Sequence, residues 1–121
     1  MVKSTKVNAA ILIIGNEILS GRTQDTNTTT LAIWLNSIGV KVSEVRVIPD
    51  VEKIIINTLN LLRKTNNYVF TTGGIGPTHD DITAESVAKA FKLKYEIHKE
   101  AFKILENYYK PGEFNKDRQK M

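Results

Sequence analysis

Residues 7–17 read VNAAILIIGNE, a run of apolar side chains that stops at a glycine followed by two polar residues. The run is continuously apolar toward its end, which is typical of a strand covered on both faces in a parallel sheet. It is far shorter than the roughly 20 residues that a helix needs to span a bilayer. We therefore predict a buried strand over 7–14 and a cytoplasmic protein without a membrane segment.

Helical and extended patterns alternate along the rest of the sequence. They predict a helix that ends at Gly39, followed in order by strand 40–48, helix 51–64, strand 68–72, helix 82–91, strand 95–97 and helix 98–109. Such alternation is typical of an α/β sandwich whose parallel strands are joined by right-handed crossovers. The tail 110–121 is polar and has no apolar period. Either it is disordered or the chain stops before the domain does, and we expect the second.

The first helix and the second strand carry specific predictions about packing. Apolar side chains at helical spacing form a face that we expect to be buried, made by Leu31, Trp34, Leu35 and Ile38. In strand 40–48 the alternation slips, because Val42 is out of phase with Val45, and this predicts a bulge or an edge position. Asp50, after that strand, is placed to cap the next helix.

Composition excludes several classes of protein. The chain has no cysteine, which rules out disulfide scaffolds, thiolate metal sites and cysteine nucleophiles. Its formal net charge of +4 comes from scattered lysines and is less than a dedicated nucleic-acid binder usually carries. We therefore expect a globular domain with a small-molecule ligand and no membrane partner, and nucleic-acid binding is a third and weaker alternative.

Acidic residues gather in the loops that follow the predicted strands. Five of the thirteen acidic residues lie there, namely Glu17, Asp25, Asp50, Asp80 and Asp81. Ligands of open parallel sheets bind in the crevice at the carboxyl ends of the strands. These loops are therefore the candidate site.

The loop after the third strand, residues 71–81, reads TTGGIGPTHDD and is the most informative of the three. Its glycines allow the backbone to approach a ligand closely, and successive N–H groups next to a helix start suit a phosphate or another anion. The segment lacks the GxxxxGK pattern of a Walker loop. It also lacks the last glycine of a dinucleotide fingerprint, because His79 stands there.

Asp80 and Asp81 have two interpretations. A carboxylate before a helix can cap it, and one aspartate is enough for that. Two adjacent aspartates repel a phosphate unless a cation lies between them, and a Mg²⁺ bound to carboxylate and phosphate oxygens resolves the conflict. We favour metal binding for the pair. Capping and function are about equally supported for Asp50, and Arg22 is a candidate to balance a phosphate charge.

Residues 15–27, GNEILSGRTQDTN, and 71–83, TTGGIGPTHDDIT, closely resemble the molybdopterin-binding (MoCF-type) domain family and, within it, the amino-terminal domain of CinA-like proteins. The resemblance covers nearly the whole chain from about residue 7. It implies an α/β fold, a three-layer α/β/α sandwich with a mostly parallel sheet. The family domain is longer than this chain, so residues 7–121 would form the domain without its closing C-terminal elements.

The resemblance also implies roles for individual residues. Ligand phosphates would be held by the glycine-rich loop, residues 73–76, through Gly73, Gly74 and Gly76. The other substrate-binding residues would be Thr72, Pro77, Thr78, Asp25, Asn27, Arg22 and Glu17. Asp81 and Asp50 would be catalytic, and Asp80 and Asp81 would hold a divalent metal, Mg²⁺ or Co²⁺. Asn16 departs from the family, because many relatives carry aspartate there, and metal affinity would be weaker if that position binds metal.

The function implied by the resemblance is a metal-dependent pyrophosphatase that acts on ADP-ribose-like dinucleotides. Two alternatives stay open, which are adenylyl transfer to molybdopterin and ligand binding without catalysis. The ligand would be a nucleotide or a pterin phosphate, with molybdopterin as one candidate. Relatives of this fold are commonly oligomers, and we expect a homo-oligomer.

Overall fold

Three strands form one parallel sheet in the computed structural model of the chain, which describes residues 6–121. The first strand lies between the other two, and the three are β1 (Asn8–Ile14), β2 (Lys41–Ile48) and β3 (Tyr68–Thr72). The helices of the described residues are α1 (Asn16–Leu19), α2 (Asn27–Ser37), α3 (Glu52–Thr65), α4 (Thr83–Ala90), α5 (Lys99–Tyr108) and α6 (Lys116–Gln119). None of these helices is long and apolar enough to cross a bilayer.

Strand β1 is the centre of the hydrophobic core. Its residues from Ala9 to Ile14 are all buried, and their side chains alternate between the two faces of the sheet. On one face Leu12 packs with Ile55 of α3 and Ala90 of α4. Right-handed crossovers in opposite directions put their helices on opposite faces, so α2 covers the other face with its buried Leu35. The predicted α/β sandwich with a parallel sheet is confirmed.

Strand β2 has both features that its sequence predicts. It lies at one edge of the sheet. Its register shifts because Ala9 lies opposite Val42 whereas Ala10 lies opposite Glu44, which makes Ser43 the extra residue of a bulge. The Ser43 hydroxyl lies 3.3 Å from Ala9 O, so the bulge keeps a side-chain contact to β1.

Helix α2 ends as predicted but exposes most of its apolar face. Gly39 follows the helix with a φ of 84°, the left-handed conformation of a helix terminator. Leu35 is buried, but the burial predicted for Trp34 and Ile38 is wrong, since these residues are 54% and 55% exposed. The sheet of the described residues has three strands with β2 at its edge, and this narrow surface receives one row of α2 side chains.

The prediction of a strand over 95–97 is wrong. Residues 93–98 have no regular secondary structure. Residues 95–98 line the cavity beside α5 and the tail, and the Tyr95 hydroxyl donates a hydrogen bond to Lys120 O (2.5 Å). A three-residue apolar pattern does not distinguish a strand from an extended segment that packs against helices.

The tail 110–121 is folded against α5. The ring of Phe114 stacks on Tyr109 with centroids 5.6 Å apart and packs against Phe102 at 5.0 Å. Asn115 caps α6, because its side-chain oxygen accepts a hydrogen bond from Arg118 N (3.0 Å). The tail is thus ordered. That the domain 7–121 lacks closing elements stays a prediction.

Candidate functional site

The loops that follow the three strands meet at the carboxyl edge of the sheet. Gly15, the first residue after β1, donates its N–H to Ile48 O at the end of β2 (2.9 Å). A β-carbon placed on Gly73, the first residue after β3, would lie 2.0 Å from Ile14 O at the end of β1. All three loops are therefore in contact, as parallel strands require.

Asn16 and Asp50 join the first two loops through reciprocal hydrogen bonds. Asp50 Oδ2 accepts a hydrogen bond from Asn16 N (3.1 Å), and Asn16 Oδ1 accepts one from Asp50 N (3.3 Å). Helix α3 begins after Val51 without any side-chain capping hydrogen bond, so Asp50 does not cap it. Its carboxylate is turned toward the third loop, where Oδ1 lies 3.5 Å from a β-carbon placed on Gly74.

Gly73 and Gly74 let the third loop close on the other two. Their φ values are 88° and 67°, in the left-handed region that residues with side chains rarely adopt. A β-carbon on Gly74 would lie 2.2 Å from Thr83 Oγ1, so the loop also packs tightly against the start of α4. Only glycine fits both positions without displacing a neighbour.

Thr83 holds the glycine-rich loop in this conformation, a role that the sequence pattern did not predict. Its side chain is buried, with 2% of the residue exposed, and its hydroxyl donates a hydrogen bond to Gly73 O (2.8 Å). Its backbone N–H donates to Gly74 O (3.1 Å). Both carbonyls are thereby turned toward α4. The signal in the sequence is a threonine two residues after the second aspartate, at a helix start.

Asp81 closes a turn with Thr78. Its Oδ2 accepts hydrogen bonds from the Thr78 hydroxyl (2.7 Å) and from Thr78 N (2.9 Å). The hydroxyl hydrogen bond is the main cause that lowers the pKa of Asp81 below its usual value of 3.8, helped by the N–H groups of Thr78 and Gly76 and by Lys120. The carboxyl group is therefore ionised near neutral pH.

Asp80 lies beside Asp81 but has a different partner. Its Oδ1 lies 3.1 Å from His79 Nε2, and both side chains are exposed. Helix α4 has Ile82 at its N-cap and no side-chain capping hydrogen bond, so neither aspartate caps it. The two carboxylates thus face different surroundings, one held in a turn and one exposed to solvent.

Thr72 and Pro77 lie at the two ends of the glycine-rich loop. Thr72 is the last residue of β3, pairs with Ile13 of β1 and is half-buried. Pro77 is exposed and directly precedes the turn that Asp81 closes. A β-carbon on Gly76 would lie 2.7 Å from Asp81 Oδ2, which places this glycine against the carboxylate.

The predicted site residues of the first loop, between β1 and α2, do not lie together. Glu17 folds back over the start of the loop, because its Oε1 lies 2.7 Å from a β-carbon placed on Gly15. Asp25 lies just before α2, and its Oδ1 accepts a hydrogen bond from the N–H group of Asn27, the first residue of that helix (3.1 Å). Arg22 is exposed and donates from Nε to Ser20 Oγ (3.1 Å) in its own loop. Glu17 therefore lies beside the contact between the strands, whereas Asp25 and Asn27 are engaged at the start of α2.

The carboxylates fit a cation that arrives with a phosphate better than a preformed metal centre. Within residues 6–121, no group of three or more His, Cys, Asp or Glu side chains is arranged to hold a metal. Oδ2 of Asp81 is engaged by Thr78 and Oδ2 of Asp50 by Asn16. Mg²⁺ is commonly bound through one or two carboxylates and completed by substrate phosphates and water.

A cavity of about 560 Å³ lies away from the strand ends. It is lined mainly by apolar side chains of residues 95–98, α5 and the tail, among them Phe102 and Phe114. Gly73, Gly74 and Asp81 do not line it. Lys120 connects the two regions, since it lines this cavity and its Nζ also donates a hydrogen bond to Thr78 O.

A comparison with known families decides the classification. The family described as "Probable molybdopterin binding domain" matches residues 10–116, which is nearly the whole chain. The chain belongs to the MoCF-type molybdopterin-binding domain family. The resemblance carried by residues 15–27 and 71–83 is thereby confirmed.

Individual relatives of this MoCF-type domain include CinA-like proteins. A protein of Archaeoglobus fulgidus is 42% identical over 103 residues, which cover 85% of this chain and 45% of that protein. A Clostridioides difficile protein named for competence-damage induction is 36% identical, over 85% of this chain and 25% of its own length. The structure of CinA, of unknown function, from Thermoplasma acidophilum is similar with a TM-score of 0.88 and 31% identity, over 97% of this chain and 69% of that chain. The chain thus spans less than half the length of these two sequence relatives.

Proposed function

We propose that this domain is a metal-dependent pyrophosphatase that cleaves ADP-ribose-like dinucleotides. Water would attack one phosphorus and the P–O–P bond would break, so that ADP-ribose yields AMP and ribose 5-phosphate. The observation that carries the proposal is the closure of the glycine-rich loop on Ile14 and Asp50. It brings backbone N–H groups, which bind phosphate, next to carboxylates, which bind cations and orient water.

The glycine-rich loop binds the pyrophosphate in this proposal. Gly73 and Gly74 carry no side chains that would keep phosphate oxygens away from the backbone N–H groups, and Gly76 would join them at the edge beside Asp81, to which its own N–H group donates. Thr83 holds the carbonyls of Gly73 and Gly74 on the far side, so that these acceptors do not face the ligand. Such phosphate chemistry depends mainly on positioning and on charge neutralisation.

The carboxylates have separate tasks. Asp81, with help from Asp80, would hold the divalent cation, and Asp50 would accept a hydrogen bond from the attacking water at Oδ1. A bound cation would neutralise the negative charge that develops on the pyrophosphate. Thr78 keeps Asp81 ionised and directed, and Asn16 does the same for the orientation of Asp50.

Product analysis tests the proposal. We expect the purified, folded chain to form AMP from ADP-ribose with Mg²⁺ or Co²⁺ and not with EDTA, measured by chromatography. Asp81→Ala should lower kcat by about 100-fold or more while ADP-ribose still binds, and Glu106→Gln, an exposed acid on α5, serves as the control. Turnover that is unchanged in Asp81→Ala, or absent from the folded wild type, would contradict the proposal.

Adenylyl transfer to molybdopterin is the second candidate, and the family description favours it because it names molybdopterin binding. The same N–H groups would then hold the pterin phosphate and the ATP phosphates. If pyrophosphate is released from ATP only when molybdopterin is present, and ADP-ribose is not cleaved, the domain is an adenylyl transferase and not a pyrophosphatase.

We also propose that the domain self-associates. Helix α2 exposes Ile33, Trp34 and Ile38, an apolar surface of the kind that interfaces cover. Trp34 is the only tryptophan of the chain, so its emission should shift to shorter wavelength when the protein associates. A 13.6 kDa species at every concentration in sedimentation experiments would contradict self-association.

A further inference from the structure

The candidate site needs positive charge close to a bound phosphate, in addition to the divalent cation proposed for Asp81. Four acidic side chains lie in or beside the loops after the strands, namely Glu17, Asp50, Asp80 and Asp81. A phosphate that enters this environment is repelled unless positive charge is close by. Arg22, the predicted cation, is exposed and hydrogen bonded to Ser20 in its own loop.

Lys120, which follows α6, places a positive charge beside the turn formed by Thr78 and Asp81. Its Nζ donates a hydrogen bond to Thr78 O, in the turn that Asp81 closes. An ammonium group has three N–H donors, so this contact leaves donors for a ligand. Its charge also contributes to the lowered pKa of Asp81, after the larger effect of the Thr78 hydroxyl.

The position of Lys120 is fixed by contacts of the tail. Lys120 is half-buried, and its side chain lines the apolar cavity beside α5, which limits the conformations of the stem. Its carbonyl oxygen accepts a hydrogen bond from the Tyr95 hydroxyl (2.5 Å). The guanidinium of Arg118 in α6 lies 4.8 Å from the ring centroid of Tyr109, and this contact holds α6 beside the end of α5. The ammonium is therefore placed before a ligand arrives.

We propose that Lys120 is a phosphate-binding residue of the site, and that the tail thereby completes the glycine-rich loop. The inference rests on the proposed function, because it assumes that a phosphate ligand occupies this loop. The ligand class is a pyrophosphate or phosphate ester, and the contribution of Lys120 grows with the negative charge of the ligand. The C-terminal segment is then part of the binding site in addition to its packing against α5.

Calorimetric titrations in EDTA, which prevents turnover, test this inference. The probes are ADP-ribose, ADP, AMP and adenosine, and the variants are Lys120→Met, Lys120→Gln and Lys120→Arg. Lys116→Met removes an equal charge from the adjoining helix α6 and serves as the control. We expect the two neutral variants to bind ADP-ribose and ADP about 10- to 100-fold more weakly, as the loss of a charge-assisted hydrogen bond predicts. Adenosine binding should not change, and Lys120→Arg should keep most of the affinity.

Two results would overturn the inference and leave the proposed function intact. One is ADP-ribose binding by Lys120→Met and Lys120→Gln that equals or exceeds that of the wild type. The other is an equal loss for adenosine and for ADP-ribose, since a purely structural role of the tail does not depend on ligand charge. A folded wild type that binds none of the phosphate probes and also forms no AMP from ADP-ribose with Mg²⁺ or Co²⁺ would instead overturn the proposed function and, with it, the role of Lys120.

Discussion

At Gly73 the backbone of the glycine-rich loop lies against the backbone of the central strand β1. The φ of 88° at Gly73 is one that residues with side chains rarely adopt. A β-carbon at this position would lie 2.0 Å from Ile14 O. The obstacle is the backbone of the central strand, so no side-chain movement relieves it, and the loop must move away from β1 when another residue replaces Gly73.

Gly73→Ala should therefore destabilise the domain more than Gly39→Ala. Gly39 has a similar φ of 84°, but nothing lies within 4 Å of an added β-carbon, so this control isolates the left-handed strain of about 1–2 kcal/mol. The collision in Gly73→Ala should lower the free energy of unfolding by about 1–3 kcal/mol more. Urea denaturation measures both variants. Equal losses would contradict the close contact between the loop and β1.

The lowered pKa of Asp81 predicts how the stability of the domain depends on pH. The pKa of Asp81 is lower in the folded chain than its usual value of 3.8, mainly because the Thr78 hydroxyl donates to the carboxylate. Its contribution to stability is therefore complete above the pKa of the unfolded chain and is lost as the pH falls through the folded-state pKa. Thr78→Val should raise the Asp81 pKa, measured by NMR titration of its carboxyl carbon. An identical midpoint in both proteins would show that this hydrogen bond does not control the carboxylate.

The loops form one unit because side chains of one loop bind the backbone of another. Asn16 and Asp50 each accept a hydrogen bond from the other's N–H group. A neutral amide at position 16 can face the Asp50 carboxylate without charge repulsion. An aspartate at the same position would add a second negative charge at that contact.

Asn16→Asp should lower stability without metal and increase the response to Mg²⁺. Two carboxylates about 4 Å apart repel each other by about 1 kcal/mol in water, and a bound cation reverses that effect. Thermal unfolding with and without Mg²⁺ measures both changes. Asn57→Asp, the same substitution at an exposed position of α3, is the control. Equal Mg²⁺ responses of the two variants would contradict a cation-binding position beside Asp50.

Elements with a strong local signal could be predicted from the sequence. The apolar run of β1, the phase slip of β2 and the glycine that ends α2 all correspond to the structure, because each depends on nearby residues. The strand predicted over 95–97 does not form, and these residues line the cavity beside α5 instead of joining the sheet. The predicted burial of Trp34 was also wrong, because the sequence does not show how wide the sheet beneath α2 is.

At the scale of the whole molecule, the sequence predicted which loops meet but not how they are held together. Parallel strands share one carboxyl edge, so the gathering of Gly15, Asp50 and Gly73 follows from the fold class. The contacts from Thr83 to Gly73 and from Lys120 to Thr78 join separate segments, the second across 42 residues. Local patterns carry no information about such pairs.

The most direct test of the account locates the phosphate ligand on the molecule. In ¹⁵N-labelled protein titrated with ADP-ribose in EDTA, we expect saturable chemical-shift changes at the N–H groups of Gly73, Gly74 and Gly76. Adenosine should cause much smaller changes at these glycines. Shifts that concentrate instead on the cavity beside α5, around Phe102 and Phe114, with the glycines unaffected, would contradict a phosphate site at the strand ends.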